Sequence, residues 1–294
     1  MNQKIPESEL IINPDGSIYH IHIRPENLAD TVLIVGDPKR VDLITAHFDH
    51  IEFRNENREI HTQTGTCKGK RITVMSTGMG PDNIDIVINE LDALVNIDFK
   101  TRKEKETKTS LNIIRLGTSG AIQPDLPMNA TIMSSYGLGL DGLLHFYRLD
   151  KGIIDQELTD LFIQSTHWPA VLPKPYVAAA SSSLVGLFAN EKFYKGITAT
   201  APGFYGPQGR VLRIPLAYTH LNQEIRDFKA GDLRILNFEM ETSALYGLGK
   251  LLGHNTLSLC IAIASRVKHQ YNKDYPVAMD QLIERVLNVV TKIR

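Results

Sequence analysis

The fold class this sequence predicts is α/β, a single domain around a largely parallel or mixed β-sheet. Three observations predict it. Short apolar runs rich in β-branched residues end at glycines, helical periodicity follows several of those glycines, and no proline-rich linker or internal repeat divides the 294 residues. At 43% hydrophobic residues, the chain is apolar and long enough to bury a substantial core, so one domain over residues 1–294 is expected.

The first unit is Thr31 to Val35, a strand-like run closing on Gly36-Asp37-Pro38, where the proline suits the first turn of a helix running to about His47. Arg71 to Thr77 repeats the pattern. It closes on Gly78 and Gly80, and Ile84, Val87, Ile88, Leu91 and Leu94 then recur at helical spacing. Residues 98–110 read as a charged surface insertion: Lys100 to Lys108 is almost wholly charged or polar without apolar periodicity, which predicts a solvated loop. Leu111 to Leu116 resumes a strand and runs into Gly117-Thr118-Ser119-Gly120, read as a glycine turn. Tyr176 to Ser183, Leu233 to Leu236 and Thr256 to Ser265 read as further strands. Met279, Leu282, Ile283, Val286, Val290 and Ile293 give a C-terminal helix one apolar face.

Thirty-two Lys and Arg against 33 Asp and Glu leave no net field to attract nucleic acid or an anionic membrane, so any anion site must be local. Cys67 and Cys260 are far apart and have no partners at metal-ligand spacing, which argues against a disulfide framework and a zinc site and fits a reducing cytoplasm. Glu7 and Glu9 beside Ile11 and Ile12 do not make a targeting segment, and no apolar stretch reaches membrane-spanning length. A soluble cytoplasmic protein without membrane or nucleic-acid partners is the expectation.

Ligands of open α/β sheets collect at the carboxyl ends of strands. Three such ends here combine glycines or an arginine in a tight turn: Gly36 with Arg40, Gly78 with Gly80, and Arg115 with Thr118. Glycine lets backbone N–H groups approach an anion and arginine offers a planar fork to its oxygens, although either serves equally as turn or surface residue. After Leu233 to Leu236, Glu239 and Glu241 flank Met240 at a strand-to-helix turn. One carboxylate there can project into a cleft and accept bonds from a sugar diol while the other supports the helix start. The loop GFYGPQGR at 203–210 carries Phe204, Tyr205, Gln208 and Arg210, a stacking ring with donors and an acceptor.

GDPKR at 36–40, NREI at 57–60, STGMG at 76–80, RLGTSGAIQP at 115–124, the PQGR loop and NFEMETSA from residue 237 together resemble the nucleoside phosphorylase family that includes uridine phosphorylases. Several motifs in the family's order are far more specific than any single glycine turn. The resemblance implies a mixed sheet forming a distorted barrel flanked by helices. It implies a phosphate site at Gly36, Arg40, Arg115 and Thr118, with Arg58 supplied by a neighbouring subunit. The ribose would lie against Thr118, Met240 and Glu241, with His20 lent across a dimer interface to the 5′-hydroxyl and His22 as its rival. Phe204, Gln208 and Arg210 match positions that hold a pyrimidine, and Arg266 an arginine that reaches the base through water.

The activity so implied is phosphorolysis of pyrimidine nucleosides, uridine first, to the free base and ribose 1-phosphate, with Arg115, Gln208, Arg210 and Glu241 as the catalytic set. Inorganic phosphate is a co-substrate, and no metal or organic cofactor is expected. GPDN at 80–83 departs from the family's glycine-proline-serine pattern, which removes support for a monovalent cation near Glu59. The implied assembly is a homodimer with shared active sites, with further assembly of dimers into a hexamer left open. Competing readings are a purine or broad-specificity phosphorylase, a nucleosidase, and a non-catalytic nucleoside-binding protein of the same fold.

Overall fold

A computed structural model describes residues 3–293. Its strands are β1 Thr31–Val35, β2 His50–Asn57, β3 Ile60–Cys67, β4 Lys70–Ser76, β5 Ile97–Asp98, β6 Lys103–Glu104, β7 Asn112–Ala121, β8 Thr131–Gly139, β9 Tyr176–Ala179, β10 Tyr194–Thr200, β11 Lys229–Ala230, β12 Leu233–Glu239, β13 Asn255–Ser265 and β14 Gln270–Tyr271. The helices are α1 Lys39–Thr45, α2 Pro81–Asn96, α3 Gln156–Ser165, α4 Ser182–Leu187, α5 Leu221–Asp227, α6 Thr242–Leu252 and α7 Tyr275–Val290.

β1 explains why its sequence is an unbroken apolar run. It pairs in parallel with β4 on one side and β7 on the other. Val32 and Ile34 join the core that includes Ile84 and Val87 of α2 and Leu245 of α6, whereas Leu33 and Val35 join Val41 of α1 and Leu282 and Val286 of α7. A strand covered on both faces has no polar face to alternate with. The sheet continues from β4 through antiparallel β3 to β2 at its edge.

On its other side the sheet closes on itself. β7 pairs with β13, β13 with β8, β8 with β10, and β10 with β12, while β12 returns to pair antiparallel with β7 at Phe238 and Gly120. The result is the mixed, barrel-like sheet flanked by helices that the family resemblance implied. Among the described residues no helix is long and apolar enough to cross a membrane.

Three local expectations are corrected. Gly117-Thr118-Ser119-Gly120 is not a turn, because β7 runs on to Ala121 in register with β13, Gly117 opposite Cys260. The glycine serves close approach instead: a Cβ at Gly117 would lie 2.1 Å from the Arg115 guanidinium and 2.9 Å from Cys260 Sγ. The strand expected over Tyr176 to Ser183 stops at Ala179, and Ser182 already begins α4. The charged run is exposed but folded. β5 and β6 form a small hairpin in which Arg102 donates from Nε to Ile5 O and from Nη2 to Pro6 O and Leu10 O, so the hairpin clasps the N-terminal segment.

Candidate active site

A cavity of about 790 Å³ opens where β1, β4, β7, β12 and β13 end. Gly36, Arg40, Arg115, Thr118, Phe204, Gln208, Arg210, Met240, Glu241 and Arg266 all line it, which gathers residues more than two hundred positions apart into one volume. The size suits a nucleoside with a small anion.

Arg40 projects from the first turn of α1 and is buried, its Nη1 donating to Leu116 O at 3.1 Å. Burial and then repulsion from Arg115 pull its pKa below the usual guanidinium value. It has no ion pair among the described residues, so its charge is available to a bound anion.

Glu239 closes β12 and Glu241 precedes α6, so the two carboxylates divide the work at one turn. Glu239 accepts from Thr200 Oγ1 at 2.7 Å, from Glu241 N and Thr242 N at 3.0 Å, and from Thr242 Oγ1 at 2.9 Å, which caps the helix. Burial pushes its pKa up, and Arg115 opposes that rise. Glu241 accepts from Gly80 N at 2.9 Å and from Arg115 Nη2. Gly80 has φ of 100°, a conformation that favours glycine, and this aims its N–H at the carboxylate. Arg115 is buried and lines the cavity. Burial works against its charge, but Glu241, Cys260 and Glu239 outweigh burial and hold its pKa above the ordinary value.

A second cluster of basic groups is built by the 203–210 loop and the end of β13. Arg210 Nη1 donates to Phe204 O at 2.7 Å and to Gln208 Oε1, and its guanidinium lies 3.7 Å from the Phe204 ring centroid. Arg266 Nη1 donates to Gln208 O at 2.9 Å, and its own N–H is held by Ala121 O. Burial and then repulsion from Arg266 lower Arg210 to about 10, and burial lowers Arg266. Neither arginine has a carboxylate partner among the described residues.

Arg58, His20 and His22 do not line the cavity of their own chain. Arg58 sits in the exposed β2–β3 turn, 5.8 Å from the Tyr19 ring, and Asn57 Nδ2 donates to His20 O at 2.7 Å, so Arg58 and His20 share one surface. Glu90 lies 2.6 Å from His20 Nδ1, and an acceptor-only carboxylate there puts the proton on Nδ1 and leaves Nε2 free. His22 instead has Nε2 turned to Asp15 at 3.3 Å. Residues that sequence patterns missed also line the cavity: Met79 between two turn glycines, Ile263, and His269 and Tyr271 of the hairpin after β13. Met79 at 74% and Tyr271 at 61% exposure are apolar bodies at an open mouth, a signal visible only in three dimensions.

The sequence model of the phosphorylase superfamily matches residues 30–293. The chain belongs to that superfamily. It is 30% identical over 275 residues to a uridine phosphorylase of Thermococcus kodakarensis, covering 93% of this chain and 86% of the relative. It is 31% identical over 242 residues to a DeoD-type purine nucleoside phosphorylase of Alkaliphilus metalliredigens, covering 82% and 84% respectively. The structure superposes on that of a Trypanosoma brucei nucleoside phosphorylase that shows uridine phosphorylase activity, with a TM-score of 0.88, 30% identity, and coverage of 97% of this chain and 100% of the other. The uridine phosphorylase-like resemblance and the enzyme class, a pentosyltransferase, therefore stand, and with them nucleoside phosphorylase activity.

Proposed function

We propose that the enzyme cleaves pyrimidine nucleosides, uridine first, with inorganic phosphate to give free base and ribose 1-phosphate. The observation that carries this reading is a single cavity in which Arg40 and the Arg210–Arg266 pair form two separate unpaired basic groups, with the carboxylate Glu241 on the same wall. Leaving the base builds positive charge on the sugar and negative charge on the base. Phosphate held by Gly36, Arg40, Arg115 and Thr118, completed by Arg58, serves as nucleophile and counter-charge, and its placement supplies much of the rate. Glu241 and Met240 seat the ribose. Phe204 offers a stacking face, while Gln208, Arg210 and Arg266 stabilise charge on the departing pyrimidine. No metal or organic cofactor takes part in this reading.

Two features weigh against the rival readings. A nucleosidase needs no anion site, yet Arg40 is buried without a counter-ion. The cavity's acidic residues are Asp37, Glu59, Glu239 and Glu241, none of them on the segment Ala264-Ser265-Arg266 where a purine would need an acid for its leaving group. Arg58 and His20, adjacent on one surface and outside their own cavity, fit a homodimer in which each chain completes its partner's site. Measuring kcat/KM for uridine, thymidine, cytidine, inosine and adenosine tests the choice of base. Uridine should lead, with inosine and adenosine at least about tenfold behind, a barrier difference of 1.4 kcal/mol. Parity of inosine with uridine would remove Gln208 and Arg210 from their assigned roles.

A further inference from the structure

Cys260 has no part in the reaction proposed above, yet it is buried in contact with a group that has. Its Sγ accepts from Arg115 Nη1 at 3.1 Å, and the same Nη1 lies 3.2 Å from Glu239 Oε2. A guanidinium has five N–H donors, two of them on Nη1. Cys260 accepts a hydrogen from Nη1, Glu239 pairs with the same Nη1 by charge, and Glu241 accepts one from Nη2. Nε is buried without a partner, so the guanidinium keeps donors beyond these contacts in the cavity Arg115 lines.

The contacts close a ring. Ser258 Oγ lies 3.7 Å from Cys260 Sγ and 2.9 Å from Thr242 Oγ1, which in turn lies 2.9 Å from Glu239 Oε2. Thiol, two hydroxyls and a carboxylate thus tie the guanidinium to the start of α6. Gly117, opposite Cys260 in the sheet, is required by the same arrangement, since its Cβ would displace both Arg115 and the thiol.

We propose that Cys260 is a positioning residue, whose thiol, closed into a ring with Ser258, Thr242 and Glu239, orients the Arg115 guanidinium so that a free donor meets the phosphate. The inference rests on the phosphorylase reading for the identity of the anion. The thiol itself stays neutral and makes no covalent bond. Burial raises its pKa, which agrees with that role.

Cys260→Ala leaves an Nη1 hydrogen without its acceptor, and Cys260→Ser restores one of similar size. Binding of inorganic phosphate to the whole protein is measured by calorimetry, alongside KM for phosphate and for uridine and the circular dichroism of each variant. Cys260→Ala should weaken phosphate binding at least about tenfold and raise the phosphate KM to match, with the uridine KM within about twofold, and Cys260→Ser should stay within about threefold of the parent. A folded Cys260→Ala protein with unchanged phosphate affinity overturns the proposal. So does equal damage from Ala and Ser, or equal loss for phosphate and uridine, because a merely structural role moves both substrates together. Should Cys260→Ala not fold, the Ser258→Ala protein, one step further round the ring, takes its place with the same expected split. A parent protein that binds phosphate but releases no base from uridine would end the substrate reading while the calorimetric comparison still decides the role of Cys260.

Discussion

Arg115 has two carboxylates and a thiol around one buried guanidinium, and the chemistry of the cavity wall follows from how those charges balance. Glu239 is enclosed by backbone and hydroxyl donors and is driven toward its protonated form by burial, whereas Glu241 reaches both Gly80 N and Arg115. Removing Glu241 outright would leave Arg115 less compensated in the interior, a loss of about 3–5 kcal/mol in stability, so alanine confuses folding with function. Glu241→Gln keeps an acceptor for Gly80 N–H. It should lower kcat/KM for uridine at least about tenfold while leaving uracil affinity within about twofold, because the free base has no sugar to lose. Equal weakening of uracil and uridine would move Glu241 away from the ribose. At this scale the sequence was readable wherever a motif gathered unlike side chains in a short span, as in 36–40, 203–210 and 239–241. Met79 and Tyr271 were not readable, since a methionine between glycines and a tyrosine in a polar hairpin have no local pattern that points to a cavity.

Among the elements, β1, α2, β13 and α7 were legible because burial on both faces, or on one helical stripe, writes itself as apolar periodicity. β3, β8 and β10 were not. They are rich in Thr, Ser and Gly, and several of their buried hydroxyls are paired across strands: Thr64 with Thr73 at 2.8 Å, Thr198 with Asn237 at 2.8 Å, and Ser134 with Thr198 at 2.5 Å. A polar residue can occupy a strand core when its partner lies on another strand, and that partner is invisible to a local window. The β5–β6 hairpin has the same lesson, for its anchor is Arg102, with φ of 57°, reaching three carbonyls of the N-terminal segment. Arg102→Ala should free that segment, costing about 1–3 kcal/mol for the charge-assisted bonds and speeding proteolytic cleavage before residue 20. Unchanged cleavage there would show that apolar packing of Ile5, Leu10 and Ile18 holds the segment without the clasp.

Over the whole molecule, closure of the sheet by β12 against β7 is what brings Glu239 and Glu241 to Arg115, and no sequence signal announces an antiparallel pairing between strands more than a hundred residues apart. The same scale governs the shared site. Arg58→Ala and Arg115→Ala proteins should each be inactive, and mixing them after verified subunit exchange should restore about a quarter of the parent's sites, the share expected for random pairing into two-fold dimers. No recovery would mean that each chain builds its own pocket. The central claim, that Arg40 and its neighbours hold phosphate for attack on the sugar, is tested most directly by following base release from uridine with and without inorganic phosphate. Uracil should form only when phosphate is present, in equal amount with ribose 1-phosphate. Release at the same rate without phosphate would contradict the account.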